Sequence, residues 1–219
     1  MAQAPEELGA ERTSPAFIFP DLDRFNAFSD GVFAIAITLL VLDIPVPPQS
    51  EPLVPALVEQ WPDFLGYFMS FAFIGSIWLS HASLTRLMKV GDTVAYGANL
   101  VLLLFVGLLP FATSLMVKHL SGPDTGIAVA LYGMNVLLAS LTLSVLIRYV
   151  ARNPYLLSED VANEMLNRVF RKRWISIGVN AVGLGVALIF PLLAVALYLA
   201  QTILLIIFPL VALRGYREY

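Results

Sequence analysis

The sequence has no cysteine, only two histidines and few charges, with Asp, Glu, Lys and Arg making up 13% of 219 residues. The lack of cysteine excludes a disulfide framework, a thiolate zinc site and a cysteine nucleophile, and leaves the redox compartment open. Two histidines allow no histidine-rich metal cluster. Soluble domains carry roughly a quarter charged residues, so this chain has about half the usual supply for coating a water-facing surface. It does not read as a soluble globule. Basic excess is also missing: 13 Lys and Arg against 16 Asp and Glu give a formal charge of −3, which excludes a strongly basic nucleic-acid binder. There is no H-E-x-x-H pair, no G-x-S-x-G elbow and no paired-carboxylate constellation, so no enzyme is expected. No regular arginine ladder indicates a voltage sensor, and no calcium or nucleotide module is present. Residues 1–16 hold three Glu and no apolar core, which is unlike a secretory signal. They read as a disordered cytosolic tail, taken to run to residue 23.

What is present is apolar length. Hydrophobic residues make up 58% of the chain and the mean hydropathy is +0.80. A spanning helix needs about 20 predominantly apolar residues. Six stretches qualify, at about 25–44, 64–87, 94–117, 126–147, 174–191 and 193–213, with a linker at 148–173 and a tail at 214–219. The expected class is therefore an all-α integral membrane protein embedded in a lipid bilayer, with one six-helix domain over 24–213. The last two stretches share one apolar block, and the turn between them is expected at Pro191 or just after it, because proline cannot donate to the helix ladder. Lys and Arg set the orientation. Arg86, Lys89, Arg148, Arg152, Arg168, Arg171, Lys172, Arg173, Arg214 and Arg217 fall on one side, and Lys118 alone on the other. Both termini are thus expected in the cytosol, in a cell (inner) membrane.

Two further segments carry local patterns. In 158–173, Ser158 can cap a helix whose first turn holds Glu159 and Asp160, and Val161, Met165, Leu166, Val169 and Phe170 recur at helical spacing. The segment is either a membrane-surface or gating helix or a cytosolic extension of the fifth span. No repeat links the two halves, so an inverted-repeat transporter is not supported. The glycines at 178, 183 and 185 suit close helix packing.

The first span is the informative one. Asp30 and Asp43 enclose twelve residues, about 18 Å of helix against a hydrocarbon core of about 30 Å. At least one carboxylate must then lie near membrane depth, at roughly 2.5–3.5 kcal/mol on insertion scales, and needs a partner or a wet cavity. Arg24, Ser70, Ser76, Trp78, His81 and Asn99 are the polar candidates to meet it. Asp30 either titrates in transport or anchors the first helix by hydrogen bonds. On the same helix Ile35, Thr38, Leu39 and Leu42 follow i, i+3, i+4, i+7 spacing and share a face. Taken alone, such a stripe is ordinarily core packing.

The run at 24–44, RFNAFSDGVFAIAITLLVLDI, with R-x-x-x-F-S-D at Arg24, Phe28, Ser29 and Asp30, closely resembles the first-helix signature of the transmembrane protein 175 family of potassium channels. Trp78 and His81 in the second span, and Asn99 with LLPF at 108–111 in the third, add to the resemblance. It implies a potassium-selective cation channel of leak type, with no TVGYG selectivity loop. One six-span repeat implies a homotetramer whose first helices line a central pore. Matched residue by residue, Ile35 would be the narrowest layer of the constriction, followed by Leu39 and Leu42, with the Thr38 hydroxyl beside them. Arg24, Phe28, Ser29, Asp30, Trp78, His81 and Asn99 would form a structural network. No cofactor is implied beyond the permeant potassium ion. At the outer mouth Asp43 and Asp63, and less so Glu51 and Glu59, could concentrate cations or be ordinary solvated acids. The competing functional reading is a proton-coupled secondary transporter or proton-conducting channel using Asp30 and His81.

Overall fold

A chain this apolar satisfies its backbone polar groups within helices, and the computed structural model is almost entirely helical. It describes residues 18–19, 21–158 and 163–215, with side chains described over 21–158 and 174–204. The expected tail at 1–16, and Ser158 capping with Glu159 and Asp160, fall largely outside the described residues. So do the side chains of the 163–173 stripe.

In chain order the elements are β1 (Ile18–Phe19), α1 (Asp23–Leu42), α2 (Leu53–Glu59), α3 (Trp61–Thr85), β2 (Gly91–Asp92), α4 (Thr93–Lys118), α5 (Thr125–Arg152), a 3-10 turn (Pro154–Leu156), α6 (Asn163–Ala187) and α7 (Pro191–Gly215). Among the described residues four helices, α1, α3, α4 and α5, are long and apolar enough to cross a membrane, and the apolar parts Trp174–Ala187 and Pro191–Leu204 of the last two are shorter. At about 1.5 Å per residue the 20 residues of α1 rise about 30 Å.

Helix ends depart from the apolar runs for identifiable reasons. α1 stops at Leu42 with Asp43 as its C-cap, short of the expected 44, because Pro45 disfavours helical backbone at Ile44. The outer loop is not featureless: α2 forms there, and α3 starts at Trp61 with proline in its first turn, where the missing N–H has no intrahelical role. α5 continues past the expected 147 to Arg152 and is closed by Asn153, whose Nδ2 donates to Tyr149 O at 2.7 Å. Apolar length marks the membrane thickness and does not limit the helix. The expected turn at Pro191 is displaced. The chain reverses at 188–190 and Pro191 is the first residue of α7, where its fixed φ suits a helix start. α6 runs unbroken from Asn163, so the basic segment at 163–173 is a continuation of the fifth apolar helix.

α1 packs against α3 and α4, α4 lies along α5, α6 packs on α5, and α7 packs on α6 and against α3. The core sits where these helices meet, with Phe33 of α1, Met69 and Ile74 of α3, Leu102 of α4 and Leu143 of α5 almost fully buried. Inside α4, Pro110 cannot donate to Val106 O. Asn135 of α5 reaches across at this level, its Nδ2 donating to Phe105 O at 3.0 Å.

Candidate pore helix and its polar anchor

α1 has two faces. Phe25, Ser29, Phe33, Ala36 and Leu40, spaced by three and four, are buried against α3 and α4. The opposite face carries Ile35, Leu39 and Leu42, which are 60%, 43% and 76% exposed. Thr38 is exposed between them and its Oγ1 donates to Ile35 O at 2.9 Å. Its proton is therefore used within the helix, and its oxygen lone pairs face outward. The stripe does not pack into the core of its own chain.

The buried face is fixed by an ordered hydrogen-bond chain. Ser29 Oγ donates to Phe25 O at 2.8 Å and so accepts from Asn99 Nδ2 at 2.9 Å. That orients the Asn99 amide with Oδ1 toward His81, whose Nε2–H donates to it at 2.9 Å. All three residues are within 2% of full burial. The His81 ring lies between Phe25 and Phe33, with centroids 5.9 and 5.6 Å away. The network thus pins α1 to α3 and α4 at one level, which a buried polar group requires if it is not to be destabilising.

Asp30 is not part of this chain. It is exposed, and the donor that meets it is the Trp78 indole, Nε1 donating to Oδ1 at 2.8 Å. Among the described residues the Arg24 guanidinium has no polar partner, and Asp30 and His81 share no hydrogen bond. Phe28 is 57% exposed. It lies seven residues before Ile35 and so shares the outward stripe with Ile35, Leu39 and Leu42. The sequence carried this signal in the spacing itself.

At the far end of α1, Asp43 lines a shallow crevice with Leu40, Asp63, Tyr67, Thr113 and Ser114. Glu51 and Glu59 are exposed in the outer loop. Among the described residues no group of three or more His, Asp or Glu is placed to hold a metal ion. Two polar clusters were not legible as such in the sequence. Ser70 Oγ of α3 lies 2.7 Å from Thr113 Oγ1 of α4. Asp92 accepts hydrogen bonds from the Tyr149 and Tyr155 hydroxyls, across 57 and 63 residues of sequence.

Comparison with known proteins places this arrangement. Residues 24–110 match the family described as the endosomal/lysosomal potassium channel TMEM175. A potassium channel of Chamaesiphon minutus is 31% identical over 176 residues, covering 78% of this chain and 81% of its own. One from Streptomyces collinus is 36% identical over 141 residues, covering 63% and 68%. The human endosomal/lysosomal proton channel TMEM175 is 43% identical over 100 residues, which are 41% of this chain and 20% of the human one. The crystal structure of a lysosomal potassium-selective channel TMEM175 homologue from Chamaesiphon minutus superposes with a TM-score of 0.75 at 29% identity, covering 84% of this chain and 95% of that one. The anchor residues Ser29, His81 and Asn99 and the outward stripe all fall within the matched 24–110 segment, and the likeness to the bacterial channels extends through the later helices. The chain is a membrane protein and belongs to the TMEM175 ion-channel family.

Proposed function

We propose that the chain forms a potassium-selective, leak-type cation channel, a homotetramer of six-span subunits in which α1 of each copy lines one central pore. Ile35, Leu39 and Leu42 form its constriction, with Thr38 beside them. The observation that carries this reading is the division of α1: one face is locked into its own subunit by the Ser29–Asn99–His81 chain, and the apolar opposite face is left uncovered. A helix so held presents the same side chains at the same height in every copy. Bacterial relatives named potassium channels support the choice of ion. The bias of Lys and Arg supports cytosolic termini and insertion in the cell membrane.

The physics of such a pore is dewetting. Four branched side chains on the axis leave little room and no ligand for a hydrated cation, so the ion sheds water to pass. Potassium holds its water less tightly than sodium and is therefore favoured. Acidic Asp43 at the end of α1 would raise cation concentration at the outer mouth.

Purified protein in planar bilayers tests the reading. Unitary current steps reversing near the potassium equilibrium potential are expected, with Ile35→Asn giving larger current and weaker potassium over sodium discrimination. Flux without unitary steps would favour the carrier, and an unaltered permeability ratio in Ile35→Asn would remove Ile35 from the pore. A reversal potential that follows the proton gradient would instead make the chain a proton channel, as its human relative is named.

A further inference from the structure

The segment between α3 and α4 is gripped from two sides. On one side β1, just ahead of α1, pairs antiparallel with β2, Ile18 opposite Asp92 and Phe19 opposite Gly91. The Tyr96 hydroxyl donates to Asp21 O at 3.2 Å, and its ring lies 4.6 Å from that of Phe25. On the other side Asp92 Oδ2 accepts from the Tyr149 hydroxyl, at the end of α5, and from Tyr155 in the 3-10 turn at 2.7 Å. Two backbone bonds flank that grip: Lys89 N donates to Leu156 O at 2.8 Å and Ser158 N to Leu87 O at 3.0 Å. Asp92 is 1% exposed, and its other oxygen accepts from Ala95 N at 2.8 Å to cap α4.

Residues 87–92 thus form a strap between the exit of α5 and the chain entering α1. The join is close-fitting at Gly91, where a Cβ would lie 2.5 Å from the Tyr96 ring and 3.2 Å from Leu22 Cδ2. A shift of the α5 exit is therefore passed on to Tyr96 in the first turn of α4 and, through it, to Leu22 and Phe25 at the start of α1. A carboxylate holding two phenols and an amide is a strong joint: its charge-assisted bonds polarise one another, so losing one weakens the hold on the strap as a whole.

We propose that this strap couples the exit of α5 and the 3-10 turn after it to the pore helix, with Asp92, Tyr149 and Tyr155 as positioning residues that bias the opening of the channel. The gating part rests on the channel reading above; the mechanical coupling does not. Two measurements separate them. Amide hydrogen exchange of the full-length protein in micelles reads the coupling. Tyr155→Phe, and separately Tyr149→Phe, should accelerate exchange at 87–92 and also at 18–26, across the strap from the substitutions, by about ten-fold or more. Acceleration confined to 87–92, or none, overturns the coupling. Bilayer recording reads the gating. The same variants should change open probability at unaltered unitary conductance, and unaltered open probability overturns that role. If the unsubstituted protein shows no unitary current, the channel reading fails while the exchange experiment still decides the coupling.

Discussion

Replacing Asn99 by Leu is the sharpest probe of the anchor. Asn99 is 2% exposed and makes two hydrogen bonds, each of 2.9 Å, one to Ser29 and one to His81. Interhelical side-chain bonds in a bilayer average about 0.6 kcal/mol and reach about 1.7, so two bonds amount to about 1–3 kcal/mol. The upper end applies here, because Leu leaves the His81 N–H without an acceptor between two phenylalanine rings, and a stranded buried donor costs about 1–3 kcal/mol by itself. Ser29 keeps its bond to Phe25 O and so loses less. Unfolding in mixed micelles by SDS titration, followed by tryptophan fluorescence, should show a loss of about 3 kcal/mol for Asn99→Leu and about 1 kcal/mol for Ser29→Ala. In the double variant the two losses should be non-additive by roughly the worth of their shared bond. Asn99→Leu within about 0.5 kcal/mol of the unsubstituted protein, or a coupling of zero, would show that packing alone positions α1.

Trp78→Phe removes the only donor to Asp30 among the described residues; at a half-exposed site this should cost about 1 kcal/mol or less in the same titration and leave unitary conductance unchanged. Tyr198 is wedged between Gly133 and Gly183, whose added Cβ atoms would lie 2.8 and 2.9 Å from its Cζ, so Gly133→Ala or Gly183→Ala should each destabilise by about 1–3 kcal/mol. Tyr198→Phe should be neutral or stabilising by up to about 1 kcal/mol, because the hydroxyl it deletes is buried with no hydrogen-bond partner among the described residues. Burial pushes the Asp92 carboxyl up, but hydrogen bonds from Tyr149, Tyr155 and the Ala95 and Val94 amides outweigh it and leave it below its usual 3.8. A depressed carboxyl stabilises the fold above the unfolded value and loses that contribution as pH falls through the folded one. Melting scans should therefore show a stability gain over Asp92→Asn at neutral pH that is lost progressively as the pH falls below the ordinary carboxyl value of 3.8.

The four long helices were legible because hydropathy and length suffice to mark them, and their ends were not, because capping and proline chemistry set them. Pro191 shows the difference: the rule that proline interrupts a ladder located a break correctly to within a few residues and misassigned the proline, which starts the next helix instead of forming the turn. Ser29, His81 and Asn99 were singled out from a motif, but nothing in one sequence says which of seven motif residues touch. The structure brings three of them into one chain, pairs Asp30 with Trp78, and turns Phe28 outward. The Asp92 hub was invisible for a simpler reason. An aspartate before a helix reads as a cap, and the two tyrosines that hold its other oxygen lie more than fifty residues away with no pattern to point back.

The stripe on α1 is where sequence reasoning alone was least decisive. In a soluble helix an apolar face means core, because the alternative is water. In a membrane that inference fails: lipid, a neighbouring subunit, a dewetted pore and the chain's own core all accept Ile and Leu, so the period locates the face without saying what it meets. The buried polar chain resolves part of the ambiguity. Ser29 must hydrogen-bond inward, so it fixes the rotation of α1, and residues six, nine, ten and thirteen positions later, Ile35, Thr38, Leu39 and Leu42, are thereby turned away from the subunit's interior. Polar burial at one level of the helix sets apolar exposure at the next. A substitution at Ser29 or Asn99 that allowed α1 to rotate would therefore change what lines the outward face without altering any residue on it. This is the physical link between the anchor and the proposed constriction: a Ser29→Ala or Asn99→Leu channel that assembled with altered ion preference would demonstrate rotation, and one that assembled with unchanged preference would show that packing of Phe33, Ala36 and Leu40 holds the register unaided.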